Sequence, residues 1–88
     1  MSFEIFYDYQ PLKFLKKLDK HIVKRIINKI EETLSSSPVP SGAKPIVGEH
    51  GVFRIRMGDY RALYRINYQE NKIIIFKVDK RSKIYDDL

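Results

Sequence analysis

Residues 52–68 constrain the fold of this chain most, because apolar and polar side chains alternate on both sides of the pair Gly58-Asp59. Alternation with a period of two is typical of a strand with one buried face, and a short glycine-containing turn joins two such strands into a hairpin. The sequence therefore predicts strands at 52–57 and 60–68. The polar positions of this hairpin include four arginines: Arg54, Arg56, Arg61 and Arg65.

Local patterns predict the remaining elements. FEIFY (3–7) is short, aromatic and β-branched, which favours a strand, and 72–78 is apolar on both faces, which favours a central strand. Leucines at helical spacing predict a short helix at roughly 10–19. A period of 3.6 residues predicts a second helix, which starts after Asp19 and ends at SSSPVP. Residues 35–51, rich in proline, glycine and serine, are predicted to form a loop.

The element order β-α-α-β-β-β predicts an α+β fold, with a helical hairpin packed on one face of a largely antiparallel four-stranded sheet. Because 88 residues are the size of one domain, we expect residues 1–88 to form a single domain. Strand alternation places the four arginines on the sheet face opposite the helices. Like charges directly across a hairpin destabilise it, so this basic patch indicates an anionic ligand rather than a merely solvated face.

Composition and charge exclude several classes of protein. The net charge is +6, which favours an anionic partner. The absence of cysteine and the presence of only two histidines exclude a disulfide framework and a thiolate metal centre, and we expect no cofactor. No apolar run approaches about 20 residues, so no membrane span is expected. The N-terminus lacks the basic and apolar regions of a signal peptide, and we expect a cytoplasmic location.

The two halves of the chain differ in their basic residues. Of six arginines, only Arg25 precedes residue 54. The lysines of the N-terminal half are interpreted as residues that keep the exposed faces of the helices solvated. The arginines of the C-terminal half have a planar fork that suits bidentate contacts with phosphate or carboxylate.

The run FRIRMGDYRALYRI (53–66), followed by KIIIFKVDKRSKIY (72–85), closely resembles the C-terminal half of the RelE/ParE toxin superfamily, in particular the RelE-type toxins. The pattern in these toxins is a strand of aromatic, basic, isoleucine and basic residues, then G-(D/S)-Y-R, an apolar strand, and a basic cluster that closes on tyrosine. The resemblance covers the whole chain, including its length and element order. It implies a small basic toxin, paired with an antitoxin, that cleaves messenger RNA in the ribosomal A site.

The resemblance also implies which residues act on RNA. The expected catalytic residues are Arg61, Arg81 and Tyr85. The expected phosphate-binding residues are Arg54 and Arg56, with Lys80 and Lys83 added because they lie in the same tail as Arg81. Arg65 has no counterpart in the family pattern and is expected at most to hold phosphate. Some family members have lysine where Arg54 and Arg56 stand. If a lysine is the general base there, Lys80 or Lys83 would have to replace it, or Tyr85 must suffice.

Cleavage by attack of a 2′ hydroxyl needs a base, donors for a negative phosphorane-like state, and an acid for the leaving 5′ oxygen. Arginine suits the second task and not the first, because its pKa stays above about 12. Tyr85 is the best candidate for proton transfer, since neighbouring cations could lower its ordinary pKa of about 10. We expect Arg61 and Arg81 to point to solvent, so that alanine at either position affects activity rather than stability.

Two alternatives remain open: a ParE-type inhibitor of DNA gyrase, and an inactive basic module that binds RNA. In the favoured interpretation the partners are the ribosome, messenger RNA and an acidic RelB-like antitoxin, with no membrane partner. A segment of that antitoxin would wrap the domain and place carboxylates near the arginine patch. We expect the free toxin to be a monomer and the toxin–antitoxin pair to be a hetero-oligomer.

Overall fold

The computed structural model describes residues 2–84, so the predicted site residue Tyr85 lies outside the described residues. The predicted α+β architecture is confirmed, since the helices of this range pack on one mixed, mostly antiparallel sheet. The elements in chain order are β1 (Glu4–Tyr7), α1 (Tyr9–Leu15), α2 (Lys20–Leu34), β2 (Lys44–Pro45), β3 (Val52–Met57), β4 (Tyr60–Asn67) and β5 (Lys72–Lys80).

Within residues 2–84 the sheet has the strand order β1-β5-β4-β3-β2. β1 pairs with β5 in parallel, and every other neighbouring pair is antiparallel. β5 is therefore an interior strand, as its two apolar faces predict. The sheet has one strand more than the predicted four, because Lys44 and Pro45 pair with Arg54 and Phe53 at the edge of β3.

Aspartates occupy the N-cap positions of both helices, Asp8 for α1 and Asp19 for α2, but neither makes a side-chain capping hydrogen bond. α1 ends at Leu15, four residues before the predicted end, and Lys16 and Lys17 form a turn. α2 has the predicted start and extent. Its inward side chains include Ile26 and Ile30, which are buried against the sheet.

Tyr64 anchors the core between the helices and the sheet. It is fully buried, and its ring stacks on that of Phe53 with 6.0 Å between ring centroids. The Tyr64 hydroxyl donates a hydrogen bond of 2.7 Å to the carbonyl oxygen of Pro38. Burial raises the pKa of Tyr64 above its ordinary value. Tyr64 therefore faces the helices, and its hydroxyl ties the loop after α2 to the sheet.

A β-bulge interrupts the pairing of β4 with β5. Leu63 pairs with Lys77 and Tyr64 with Ile75, so Phe76 is the additional residue. Beyond the end of β1, the side chain of Gln10 takes over as the partner of β5. Its Nε2 donates to the carbonyl of Val78 at 3.0 Å, and its Oε1 accepts from the Val78 N–H at 2.9 Å. These two bonds fix α1 against β5.

Candidate nucleic-acid interface

The outer face of the sheet, opposite the helices, carries the hairpin arginines as predicted. In the β3–β4 pairing Arg56 stands opposite Arg61, and Arg54 stands opposite Leu63. Residues paired across two strands project to the same side of a sheet, so these arginines share one face. The residues between them, such as Ile55 and Ala62, belong to the core on the other face.

Side chains from three strands and from the segment after β5 surround a concavity of about 340 Å³ on this outer face. Its lining is formed by Gly42, Lys44, Arg54, Arg56, Arg61, Arg81 and Ile84. Five of these seven residues are cationic, and within residues 2–84 no carboxylate belongs to the lining. Cations that converge in a recess focus a positive potential, so this concavity attracts anions.

Main-chain hydrogen bonds hold the segment after β5 beside the concavity. The N–H of Arg81 donates to the carbonyl of Asp59 at 3.0 Å, which ties this segment to the β3–β4 turn. The N–H of Lys83 donates to the carbonyl of Lys80 at 2.9 Å and turns the chain back. Ile84 is 1% exposed and forms part of the concavity wall. The backbone therefore positions Arg81 next to the arginines of β3 and β4.

The side chain of Arg61 is more buried than predicted. It is only 8% exposed, and its Nη1 donates hydrogen bonds of 3.0 Å to the carbonyl oxygens of both Gly58 and Tyr60. The expectation that Arg61 points to solvent is wrong, because its side chain is buried and bonds back to main-chain carbonyls beside the β3–β4 turn. Arg81 is exposed, as expected. The concavity therefore combines a fixed guanidinium with an exposed one.

Several residues of the predicted set lie away from the concavity. Arg65 is exposed and places its guanidinium carbon 4.9 Å from the centre of the Phe76 ring. Lys80 is exposed on the neighbouring surface formed with Asp59 and Tyr60. Lys83 is exposed outside the lining. Of the predicted residues that lie within 2–84, the structure thus brings together the arginines at 54, 56, 61 and 81.

Sequence reasoning missed Lys44, Gly42 and Ile84. Lys44 reaches the concavity because β2 pairs with Arg54, and a two-residue strand has no alternation by which it could be recognised. Ile84 did leave a signal, since it is the one apolar residue in the stretch KRSKI. An isolated apolar residue in a basic segment is consistent with a chain that folds back onto the domain.

The polar side chains of the concavity are guanidinium and ammonium groups, which donate hydrogen bonds and carry positive charge. Such a donor set suits phosphate or carboxylate, with bidentate contacts available from arginine. Residues 2–84 contain no group of three or more histidine, cysteine, aspartate or glutamate side chains that could hold a metal ion. No helix of this part of the chain is long and apolar enough to cross a membrane.

Comparison with known proteins identifies the family. A family model described as the ParE toxin of the type II toxin-antitoxin system parDE matches residues 5–85. The chain belongs to the RelE/ParE toxin superfamily. This toxin is 38% identical to toxin RelG of Mycobacterium tuberculosis over 72 residues, which are 81% of this chain and 82% of that protein. It is also 38% identical to toxin RelE3 of Methanocaldococcus jannaschii over 78 residues, 85% of this chain and 86% of that protein.

A solved structure supports the same conclusion about the toxin fold. A chain of the toxin-antitoxin complex RelBE2 from Mycobacterium tuberculosis matches with a TM-score of 0.80 and 29% sequence identity. The match covers 92% of this toxin and 100% of that chain. The resemblance seen in the hairpin and in the segment after β5 is therefore confirmed at the level of the superfamily.

Proposed function

We propose that this toxin is a ribosome-dependent endoribonuclease that acts in the cytoplasm and cleaves messenger RNA in the ribosomal A site. The observation that carries this proposal is the concavity in which Lys44 and four arginines converge, with no carboxylate in the lining formed by residues 2–84. A recess of this composition suits the phosphate that is attacked and the phosphates beside it. The RelE and RelG names of two relatives support the same activity.

The reaction is attack of a ribose 2′ oxygen on the adjacent phosphorus, with loss of the 5′ oxygen of the next nucleotide. Negative charge accumulates on the phosphate oxygens in the transition state. Hydrogen-bond donors that are already held in position stabilise this charge most, because they need not reorganise during the reaction. Arg61 is such a donor, because the hydrogen bonds from its Nη1 to the carbonyls of Gly58 and Tyr60 hold the guanidinium in place. Exposed Arg81 can approach the leaving group, while Arg54 and Arg56 hold neighbouring phosphates.

Proton transfer requires a different residue, since arginine remains protonated. We assign it to Tyr85, which directly follows the concavity residue Ile84 in the sequence. Lys80 and Lys83 are the alternative bases. With so few groups able to accept a proton at neutral pH, cleavage of free RNA should be slow. The ribosome would supply the missing orientation of the 2′ hydroxyl.

The proposed regulator is an acidic antitoxin, and the similar RelBE2 structure is itself a toxin–antitoxin complex. A net charge of +6 and a recess into which five cations of the described chain converge favour a partner whose carboxylates reach the concavity. Disordered antitoxin segments lose entropy when they fold on a toxin, so this contact must bury a large area. The complex should therefore inactivate the toxin and stay intact at physiological salt.

The test is primer-extension mapping of messenger RNA on translating ribosomes, together with growth arrest after induction. Arg81→Ala and Tyr85→Phe should each reduce cleavage steeply, by about 10²–10³ for the lost arginine donor. Lys72→Ala is the charge-matched control, since Lys72 lies outside the concavity and pairs with Glu70 at 3.7 Å. It should cleave as the wild type does.

Wild-type cleavage by both Arg81→Ala and Tyr85→Phe would exclude the proposed mechanism. Intact messenger RNA with accumulating gyrase–DNA cleavage complexes would instead identify a ParE-type gyrase inhibitor, the alternative suggested by the name of the family model. Tight RNA binding without cleavage on ribosomes would identify an inactive RNA-binding module.

A further inference from the structure

The outer face of the sheet continues beyond the concavity, toward the end of the β3–β4 hairpin that lies away from its turn. Here Arg65 stands between Val52 on β3 and Ile74 on β5, and residues paired across strands share a face. Ile74 and Phe76 are half-buried, and neither belongs to the core that residues 2–84 form between the helices and the sheet. Exposed Arg65 therefore lies among apolar side chains of the outer face.

Arg65 contacts an aromatic ring and not an acid. Its guanidinium carbon lies over the Phe76 ring, 4.9 Å from the ring centre, and no carboxylate in the described part of the chain forms an ion pair with it. The attraction between a cation and the ring face favours this placement. Nucleobases stack both on aromatic rings and on arginine guanidinium planes. These two side chains, which we call the Arg65–Phe76 platform, therefore have the chemistry to bind a base.

The β-bulge in β5 supplies the ring of this platform. Phe76 is the additional residue of the bulge, so it has no partner of its own on β4. Bulges are common beside active sites, where they redirect a side chain. An aromatic ring that regular strand pairing does not require therefore stands on the same face as the cationic concavity.

The platform and the concavity are close enough to contact one RNA strand. Arg61, which lines the concavity, and Arg65 lie on the same strand and on the same face of the sheet. A strand rises about 3.3 Å per residue, so the Cα atoms of these two arginines are about 13 Å apart. The ribose and base of a neighbouring nucleotide can bridge this distance while the phosphate stays in the concavity. The cations would then hold phosphates, and the platform would hold a base.

We propose that the Arg65–Phe76 platform stacks on a nucleobase of the RNA strand whose phosphate occupies the concavity, and that it favours a purine there. This inference rests on the proposed function, and it gives Arg65 a contact with a base in place of a contact with phosphate. The sequence preferences of stacking platforms come from stacking strength, and a purine has a larger ring system than a pyrimidine. The platform would thereby influence which phosphate of a message is cleaved.

The test measures the binding of short single-stranded oligonucleotides whose 2′-O-methyl groups prevent cleavage. Three probes share one backbone of abasic riboses: the first carries a single adenine, the second a single uracil, and the third no base. Arg65→Lys keeps the positive charge and removes the planar guanidinium, and Phe76→Leu keeps an apolar side chain and removes the ring. Binding is measured by fluorescence anisotropy, and thermal melts confirm that each variant folds.

The wild-type toxin should bind the adenine probe about 5–150-fold more tightly than the abasic probe, the range that stacking of one base provides. The uracil probe should bind with intermediate affinity. Both variants should lose most of this difference and still bind the abasic probe as the wild type does, because its phosphates meet an unchanged concavity. On ribosomes, Phe76→Leu should still cleave messenger RNA but with a weaker preference for a purine beside the cleaved bond.

Equal affinity of the wild type for all three probes would overturn the inference. An Arg65→Lys protein with wild-type binding, together with an Arg65→Ala protein that binds even the abasic probe weakly, would also overturn it, since Arg65 would then hold a phosphate. A loss of antitoxin affinity in Phe76→Leu with unchanged binding of the adenine probe would assign the platform to the antitoxin instead.

The probes cannot be cleaved, so their binding does not depend on nuclease activity, and the two proposals can fail separately. A wild-type toxin that binds the adenine probe through the platform but leaves messenger RNA intact on ribosomes would refute the nuclease activity alone. A toxin that cleaves messenger RNA on ribosomes but binds the adenine and abasic probes equally would refute the platform alone.

Discussion

Replacement of Arg61 by alanine should affect both stability and activity, whereas replacement of Arg81 should affect activity alone. Arg61 is 8% exposed and donates two hydrogen bonds to the carbonyls of Gly58 and Tyr60. Hydrogen bonds to charged groups contribute about 1.5–3 kcal/mol each, but loss of the repulsion between Arg61 and Arg56 offsets part of this. We expect Arg61→Ala to lower the free energy of unfolding by about 2–3 kcal/mol.

For a domain of this size, each kcal/mol shifts Tm by about 4–8 °C, so Arg61→Ala should melt about 10–20 °C lower than the wild type. Arg81 is exposed, and its anchoring hydrogen bond comes from its main chain. Arg81→Ala should therefore change stability by less than about 0.5 kcal/mol. Both variants should lose most of the ribosomal cleavage activity once the rates are corrected for the fraction folded.

Thermal melts and urea denaturation give the stability, and primer extension on ribosomes at a temperature where both variants are folded gives the activity. Arg61→Lys is an informative third protein, because lysine keeps the charge but lacks the planar fork. It should melt between the wild type and Arg61→Ala. An Arg61→Ala protein with the wild-type Tm would refute the conclusion that this side chain stabilises the hairpin turn.

Substitutions at three further positions test the core and its connections. Tyr64→Phe loses the hydrogen bond to Pro38 and should lower the free energy of unfolding, measured by urea denaturation, by about 0.5–1.5 kcal/mol. Tyr64→Ala should lower it by about 3–5 kcal/mol. Gln10→Ala removes both hydrogen-bond partners of the Val78 main chain and should lower the free energy of unfolding by about 1–3 kcal/mol. Hydrogen exchange at the Val78 amide should become faster. Burial raises the pKa of Tyr7 to about 12, so its ionisation opposes folding, and stability should fall as the pH rises from about 10 through that value. Tyr7→Phe should reduce this loss of stability at alkaline pH. At pH 7 it should be neutral or stabilising, because the buried hydroxyl has no hydrogen-bond partner among residues 2–84. A variant that loses as much stability at alkaline pH as the wild type would contradict this reasoning.

Strand alternation predicted the face on which each arginine lies but not how deeply it is buried. Arg61 and Arg65 occupy equivalent positions in the pattern of β4, yet one is buried and the other exposed. Arg61 bonds to carbonyls beside the β3–β4 turn and lines the concavity together with Ile84, and the alternation of a single strand contains no information about such neighbours. For the same reason the pattern could not reveal Lys44, which depends on pairing with an edge strand.

The candidate site was predictable where its residues are close in sequence. Arg54, Arg56 and Arg61 meet because one tight turn joins their strands, and a hairpin fixes its own register. Arg81 was expected only from the family resemblance. The structure supplies a physical reason for its position, the main-chain bond to Asp59. The additional residue Phe76 in β5 was not predictable, because a strand that is apolar on both faces gives no alternation in which a bulge would appear.

The position of β5 in the sheet governs when this protein can fold during synthesis. β1 is synthesised first, yet its partner in the sheet is β5, which leaves the translating ribosome after the other four strands of the sheet. Until residues 72–80 emerge, β1 has no neighbour and the helices have an incomplete surface on which to pack. Pairing between such distant segments forms late, because closing a long loop costs entropy. The nascent chain therefore lacks the concavity, whose wall also needs residues 81–84, until translation has passed beyond the whole hairpin.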